Sequence, residues 1–190
     1  MKVTVLQEAG LEWALYGMAL SFKDRALDPQ EWWPKQKQKA YKRAALLAFK
    51  QGGHNKFLES IQVWIDIEAP RAWWSEMDTY RVGTTKQSES TMHTLAKRAP
   101  AQDDFEPGTD SYQIQGFIVL WDEIKSDIHR LKMNLPEGFL QRRVISTNYK
   151  VLQNILWQRD GHRLKLWKVF EDSILYQVDH PEYLKEGFEV

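Results

Sequence analysis

The sequence predicts a single domain, residues 1–190, that mixes α and β. Three observations carry this: two β-branched runs, several segments with apolar residues at helical spacing, and no internal repeat. At 43% apolar and 13% aromatic residues, with nine tryptophans, the chain can bury a real core. Its 26 Lys and Arg balance 26 Asp and Glu. No excess positive charge favours a nucleic acid polymer, although a local cluster could hold a small anion. Cysteine is absent, which excludes disulfides, thiolate metal sites and a cysteine nucleophile. The N-terminal MKVTVLQEAG has no long apolar stretch, and no run approaches the roughly 18 apolar residues that span a bilayer. The expectation is a soluble cytoplasmic protein with no membrane partner.

Val3 to Leu6 reads as a strand, and Leu11, Trp13, Ala14, Tyr16, Met18 and Leu20 as a buried helix. A second helix starts near Pro34, runs through AYKRAALLAFKQ and stops at Gly52-Gly53. SIQVWIDIE, residues 60–68, alternates Ile61, Val63, Ile65 and Ile67 with polar or larger residues, the clearest strand pattern in the chain. Residues 71–80 suit a helix, RVGTTKQSEST a polar loop, and 97–111 a solvated connection. Phe117, Trp121, Ile124, Ile128 and Leu131 fall at helical spacing and should end before Pro136. Two more helices are expected, over Ser146 to Gln158 and Leu164 to Tyr176.

The five histidines, at 54, 93, 129, 162 and 180, show no metal-ligand spacing, so no metal is expected. Asp103, Asp104 and Glu106 read as a solvated acidic loop. Ser88 and Ser90 lack the glycines of a nucleophile elbow, and Gly52-Gly53 lacks a phosphate-loop pattern. What remains is a scatter of cations in polar contexts: Arg81, Lys132, Arg142, Arg143, Lys150 and Arg159. On a helix from Ser146, Asn148 and Arg159 would share one face about 16 Å end to end. Lys150 and Asn154 would occupy another, which suits a helix wedged between two binding surfaces.

Read together, two blocks resemble the flavin-dependent thymidylate synthases. HNKFLESIQVWIDIEAPRAWWSEMDTYR, from His54 to Arg81, is similar to that family's histidine, a glutamate five residues on, an alternating strand, Ala-Pro, and a helix ending in Arg-His-Arg. KMNLPEGFLQRRVISTNYKVLQNILWQR, from Lys132 to Arg159, is similar to its basic residue, Leu-Pro, and a helix carrying two asparagines, a cation and an arginine. Thr79-Tyr80-Arg81 stands at the Arg-His-Arg signature, Glu76 at a glutamine, Lys132 and Lys150 at arginines, and SESTM at the Ser-x-Arg-Tyr loop. Ser88 matches that loop's serine if one residue is deleted, and Ser90 is its rival.

The resemblance implies an α+β fold with a small antiparallel sheet beside a helical core, assembled as a homotetramer with shared sites. It implies FAD as cofactor, dUMP or a related pyrimidine nucleotide as substrate, and methylenetetrahydrofolate and NAD(P)H as co-substrates. Arg159 would be catalytic and would hold the nucleotide with Lys132, Glu76 and Ser88 or Ser90. His54, Arg81, Asn148, Lys150, Asn154 and His162 would line the flavin. Two alternatives stay open: a related flavin enzyme that modifies another pyrimidine nucleotide, for example by hydroxymethylation, and a non-enzymatic nucleotide-binding descendant.

Overall fold

The structure is a computed structural model that describes residues 1–21 and 28–188. Four strands, β1 (Lys2–Ala9), β2 (Gln62–Pro70), β3 (Thr85–Ser88) and β4 (Leu140–Asn148), form one antiparallel sheet in the order β1-β2-β4-β3. The helices are α1 (Leu11–Leu20), α2 (Pro29–Leu47), α3 (Arg71–Met77), α4 (Thr91–Lys97), α5 (Ser111–Ile124), α6 (Ile128–Met133), α7 (Tyr149–Arg159) and α8 (Leu166–Gln177). The class is the expected α+β, with a small antiparallel sheet. Among the described residues, no helix is long and apolar enough to cross a membrane.

β2 follows its alternation: Val63, Ile65, Ile67 and Ala69 are buried, while Gln62, Trp64, Asp66 and Glu68 are half-buried. Elsewhere the local pattern was overridden. α1 buries Ala14, Leu15 and Ala19 and leaves Trp13 63% exposed, because a helix apolar on every side carries no signal for which face turns inward. α2 begins at Pro29 rather than Pro34. Asp28 accepts from the Gln30 N–H at 2.9 Å and so caps the helix one turn earlier than expected. The single helix expected through Phe117 and Leu131 is two, since Asp127 accepts from the Arg130 N–H and starts α6 afresh.

The 81–91 loop contains β3, a polar edge strand whose backbone bonds come from β4 and not from any apolar pattern of its own. Ser146, Thr147 and Asn148 finish β4, so the last long helical segment before the C-terminal helix starts at Tyr149. α3 ends at Met77, short of residue 80.

By its internal packing the chain divides into two compact units. The first comprises Met1–Val3, Asp66–Arg81 and Lys86–Ile145. Its core holds Ile67, Trp73, Trp74 and Met77, together with a cluster of Leu95, Phe105, Ile114, Phe117, Leu131, Leu135 and Phe139. The indole N–H of Trp74 donates to the Gln141 carbonyl at 2.8 Å, satisfying a polar group that burial would otherwise strand.

The second comprises Thr4–Ile65, Val82–Thr85 and Ser146–Val190. Leu15, Leu58, Ile61, Tyr149, Leu152, Ile155, Trp167 and Phe170 are buried in it. Gly10, between β1 and α1, has φ +93°, and a Cβ there would lie 2.4 Å from the Ser60 carbonyl oxygen, so only glycine permits this approach.

Candidate functional site

In the second unit, α7 carries or borders five of the residues singled out by sequence. Asn148 is the last residue of β4 and the N-cap of α7, its Oδ1 accepting from the Val151 N–H at 3.0 Å. It therefore does not share a helix face with Arg159, which corrects the two-face geometry: the helix begins one residue after Asn148. Lys150, half-buried in the first turn, reaches Oε1 of Gln153 at 3.5 Å. Asn154 is exposed and accepts from Gln158 at 3.3 Å.

Gly83 packs against this junction with φ +69°. A Cβ built there would sit 2.8 Å from Cγ2 of Val151 and 3.4 Å from Nδ2 of Asn148. The Thr147 hydroxyl donates to the Gly83 carbonyl at 3.0 Å, which holds the 82–85 segment against the end of β4. The result is a close backbone approach beside an asparagine amide, kept open by the missing side chain.

At the far end of α7, Arg159 lies with its guanidinium carbon 4.5 Å over the Trp167 ring and Nη1 3.1 Å from Nε2 of His162. The Leu164 N–H donates to Nδ1 of His162 at 3.1 Å and fixes the ring beside the arginine. The guanidinium can only donate, and its planar fork suits an acceptor oxygen such as a carbonyl or phosphate. His162 was singled out only through the family resemblance; it lies beyond the end of α7, so no helical spacing announced the contact. His54 is exposed in the turn before Asn55, whose buried amide donates to the Ala48 carbonyl at 3.0 Å.

The first unit holds the remaining candidates. Glu76 is half-buried near the end of α3, and its carbonyl accepts from Thr79. Arg81 is exposed beyond the helix. Ser88 ends β3 and Ser90 precedes α4, both exposed. Lys132 is exposed in the last turn of α6.

Sequence reasoning did not anticipate the network beneath the Thr79-Tyr80-Arg81 segment. Arg143 Nη1 donates to both carboxylate oxygens of Asp78, at 3.0 and 3.1 Å, and its guanidinium carbon lies 4.4 Å over Trp74. Lys86 pairs with Asp78 at 3.3 Å and donates to the Tyr80 carbonyl at 3.0 Å. Two cations thus converge on one carboxylate next to the altered signature. The only trace in the sequence is an aspartate directly before that signature.

Two further carboxylates in this unit are perturbed. Hydrogen bonds from Arg142 hold Asp66 below the usual carboxylate range, whereas burial pushes Glu89 above it, with Glu68 adding repulsion.

A second group missed by sequence lies in the second unit. A cavity of about 290 Å³ is lined by Glu8, Glu12, Trp13, Ile61, Asp179 and His180. Glu8 accepts from the Tyr149 hydroxyl and, at 2.7 Å, from the Asp179 N–H. Burial raises the pKa of Glu8 against the pull of those two bonds; burial and the Glu8 charge raise that of Tyr149. Period 2 on β1 places Glu8 in phase with the exposed Lys2, Thr4 and Leu6, so the sequence carried no signal for it. Among the described residues, no group of three or more His, Asp or Glu is arranged to hold a metal ion.

No protein-family model and no curated protein matches the sequence. The fold is that of the flavin-dependent thymidylate synthases, as the two sequence blocks led one to expect. A flavin-dependent thymidylate synthase, ThyX, from Helicobacter pylori, complexed with FAD and dUMP, superposes with a TM-score of 0.79 at 14% identity, covering 100% of both chains. A second H. pylori ThyX structure with FAD and dUMP gives 0.78 at 15% identity over 98% of each chain. The UMP/dUMP methylase PolB from Streptomyces cacaoi, bound with 5-Br dUMP, gives 0.65 at 10% identity, covering 95% of this chain and 92% of that one.

Proposed function

We propose that this protein is a flavin-dependent enzyme acting on dUMP, and specifically that it carries out reductive methylation of dUMP to dTMP. The observation that supports this reading best is the full-length likeness to ThyX, complexed with FAD and dUMP, in a chain that keeps Asn148, Asn154 and Arg159 at the family spacing and a cation, Lys150, between them. The donor set around α7 fits an anionic, carbonyl-bearing cofactor. Asn148 and Lys150 stand at the start of the helix, His162 just beyond its end, and the Gly83 backbone leaves a space a Cβ would fill.

In this reading His54, Arg81, Asn148, Lys150, Asn154 and His162 hold FAD, and Arg159, Lys132, Glu76 and Ser88 or Ser90 hold the nucleotide. Bound FAD, reduced by NAD(P)H, would supply the hydride, and methylenetetrahydrofolate the carbon. Arg159 orients the pyrimidine through paired N–H donors and favours the negative charge that develops on its carbonyl side. Neighbouring His162 contacts one end of the guanidinium, and Trp167 fixes its plane. The chain is assigned as one functional domain that works as a homotetramer.

A related flavin enzyme acting on another pyrimidine nucleotide is the second reading. The rebuilt signature favours it: Thr79 and Tyr80 replace a cation and an imidazole, while Asp78, Lys86 and Arg143 form a network beside them. Purified protein titrated with FAD, then supplied with dUMP, UMP or dCMP, methylenetetrahydrofolate and NADPH, separates these readings by mass analysis of the product. Formation of dTMP supports methylation. A product from UMP or dCMP alone supports the second reading, and failure to bind flavin refutes both in favour of a non-enzymatic descendant.

A further inference from the structure

Tyr149 lies between two residues of the proposed flavin-binding turn, Asn148 and Lys150, and it is fully buried where they are only half-buried. It is held at both ends. Its N–H donates to the Ile61 carbonyl at 3.0 Å, and its hydroxyl donates to Glu8 while accepting from the His180 N–H at 3.2 Å. Glu8 in turn takes the Asp179 N–H on its other oxygen. A side chain anchored this way leaves the residues on either side little freedom, and Asn148 is committed further by capping α7 through Val151.

We propose that Glu8, acting through Tyr149, is a positioning residue for the Asn148–Lys150 turn, so that its carboxylate sets how tightly this turn holds the flavin. The proposal rests on the flavin reading above. An ionised acceptor strengthens the Tyr149 hydrogen bond relative to a neutral amide. The groups that face Glu8 are the Tyr149 phenol, the Asp179 carboxylate and N–H, His180 and, across the cavity, Glu12. Asp179 opposes the Glu8 charge and His180 favours it, but burial outweighs both, so ionising Glu8 costs more in the folded protein than in the unfolded chain. A charge that destabilises the fold yet orients a ligand-bearing turn has the balance expected of a functional group.

The sign of that balance gives a test that a structural role alone does not pass. Because the folded-state pKa of Glu8 is raised, its contribution to stability is present below the unfolded value and lost as pH rises through the folded one. Glu8→Gln should therefore melt at or above the wild-type temperature at neutral pH, yet bind FAD about tenfold more weakly, because the turn is no longer held in register. Tyr149→Phe should reproduce the loss, and the double variant should be no worse than Tyr149→Phe alone. Wild-type affinity for FAD should fall as pH drops through the Glu8 pKa, and Glu8→Gln should not share that fall.

Amide exchange at Val151 in the flavin-free protein gives a second readout and should quicken in both variants. Unchanged FAD affinity and unchanged Val151 exchange, or strictly additive losses in the double variant, overturn the proposal while leaving the flavin reading intact. A wild-type protein that takes up no FAD overturns the flavin reading and this proposal with it.

Discussion

Arg143 and Asp78 meet with one guanidinium nitrogen of the arginine within 3.1 Å of both carboxylate oxygens, and Lys86 closes on the same carboxylate at 3.3 Å. The cations are the enclosed partners: their side chains are 15% and 13% exposed, against 47% for Asp78. The carboxylate thus serves to keep two shielded positive charges compensated.

Asp78→Asn should for that reason destabilise the protein by about 1–2 kcal/mol, since it removes the countercharge both cations share, with their bonds to Tyr80 and Gln141 and solvent on the exposed aspartate limiting the loss. Urea unfolding of the two proteins checks this through the midpoint. An unchanged midpoint would mean that the network contributes nothing net.

Gly83→Ala tests the close approach at the head of α7. Positive φ costs an L-residue about 1 kcal/mol, and here the new Cβ also meets Val151 at 2.8 Å. Gly52→Ala is the control, because its φ of +76° carries the same strain with nothing within 4 Å. Gly83→Ala should lower the melting temperature more than the control and should weaken FAD binding, which the control leaves alone.

Asp66 and Arg142 make a pH prediction. Arg142 lowers the Asp66 pKa below its ordinary 3.8, so the pair adds stability above that value and loses it as pH falls through the folded-state pKa. Asp66→Asn should flatten the decline in melting temperature on acidification below about pH 4. Parallel acid melting curves for the two proteins would contradict the assignment.

Arg159→Lys keeps the charge but loses the planar fork that lies over Trp167 and beside His162. The melting temperature and FAD affinity should stay near wild type, while turnover falls about a hundredfold, equivalent to about 2.7 kcal/mol. Steady-state kinetics with dUMP, or single-turnover oxidation of reduced flavin, reads this directly. Equal turnover would place Arg159 outside the chemistry.

The sequence by itself determined what local spacing can carry. The alternation of Val63, Ile65 and Ile67 specified β2 and its buried face, because period 2 is a property of the strand alone. The helix over Tyr149 to Gln158 was legible for the same reason, since helical spacing is local. Only the tertiary structure decided where β4 gives way to α7. Ser146 to Asn148 lie in β4 because neighbouring strands supply its backbone partners, and Asn148 becomes a cap instead of a helix-face residue. The same holds for β3, an edge strand with no apolar period, and for Tyr149 and Glu8, 141 residues apart in the chain. Periodicity reports which face of an element is buried. It carries no information about which distant carboxylate will be waiting there, since that depends on how strands and helices far apart in sequence pack together.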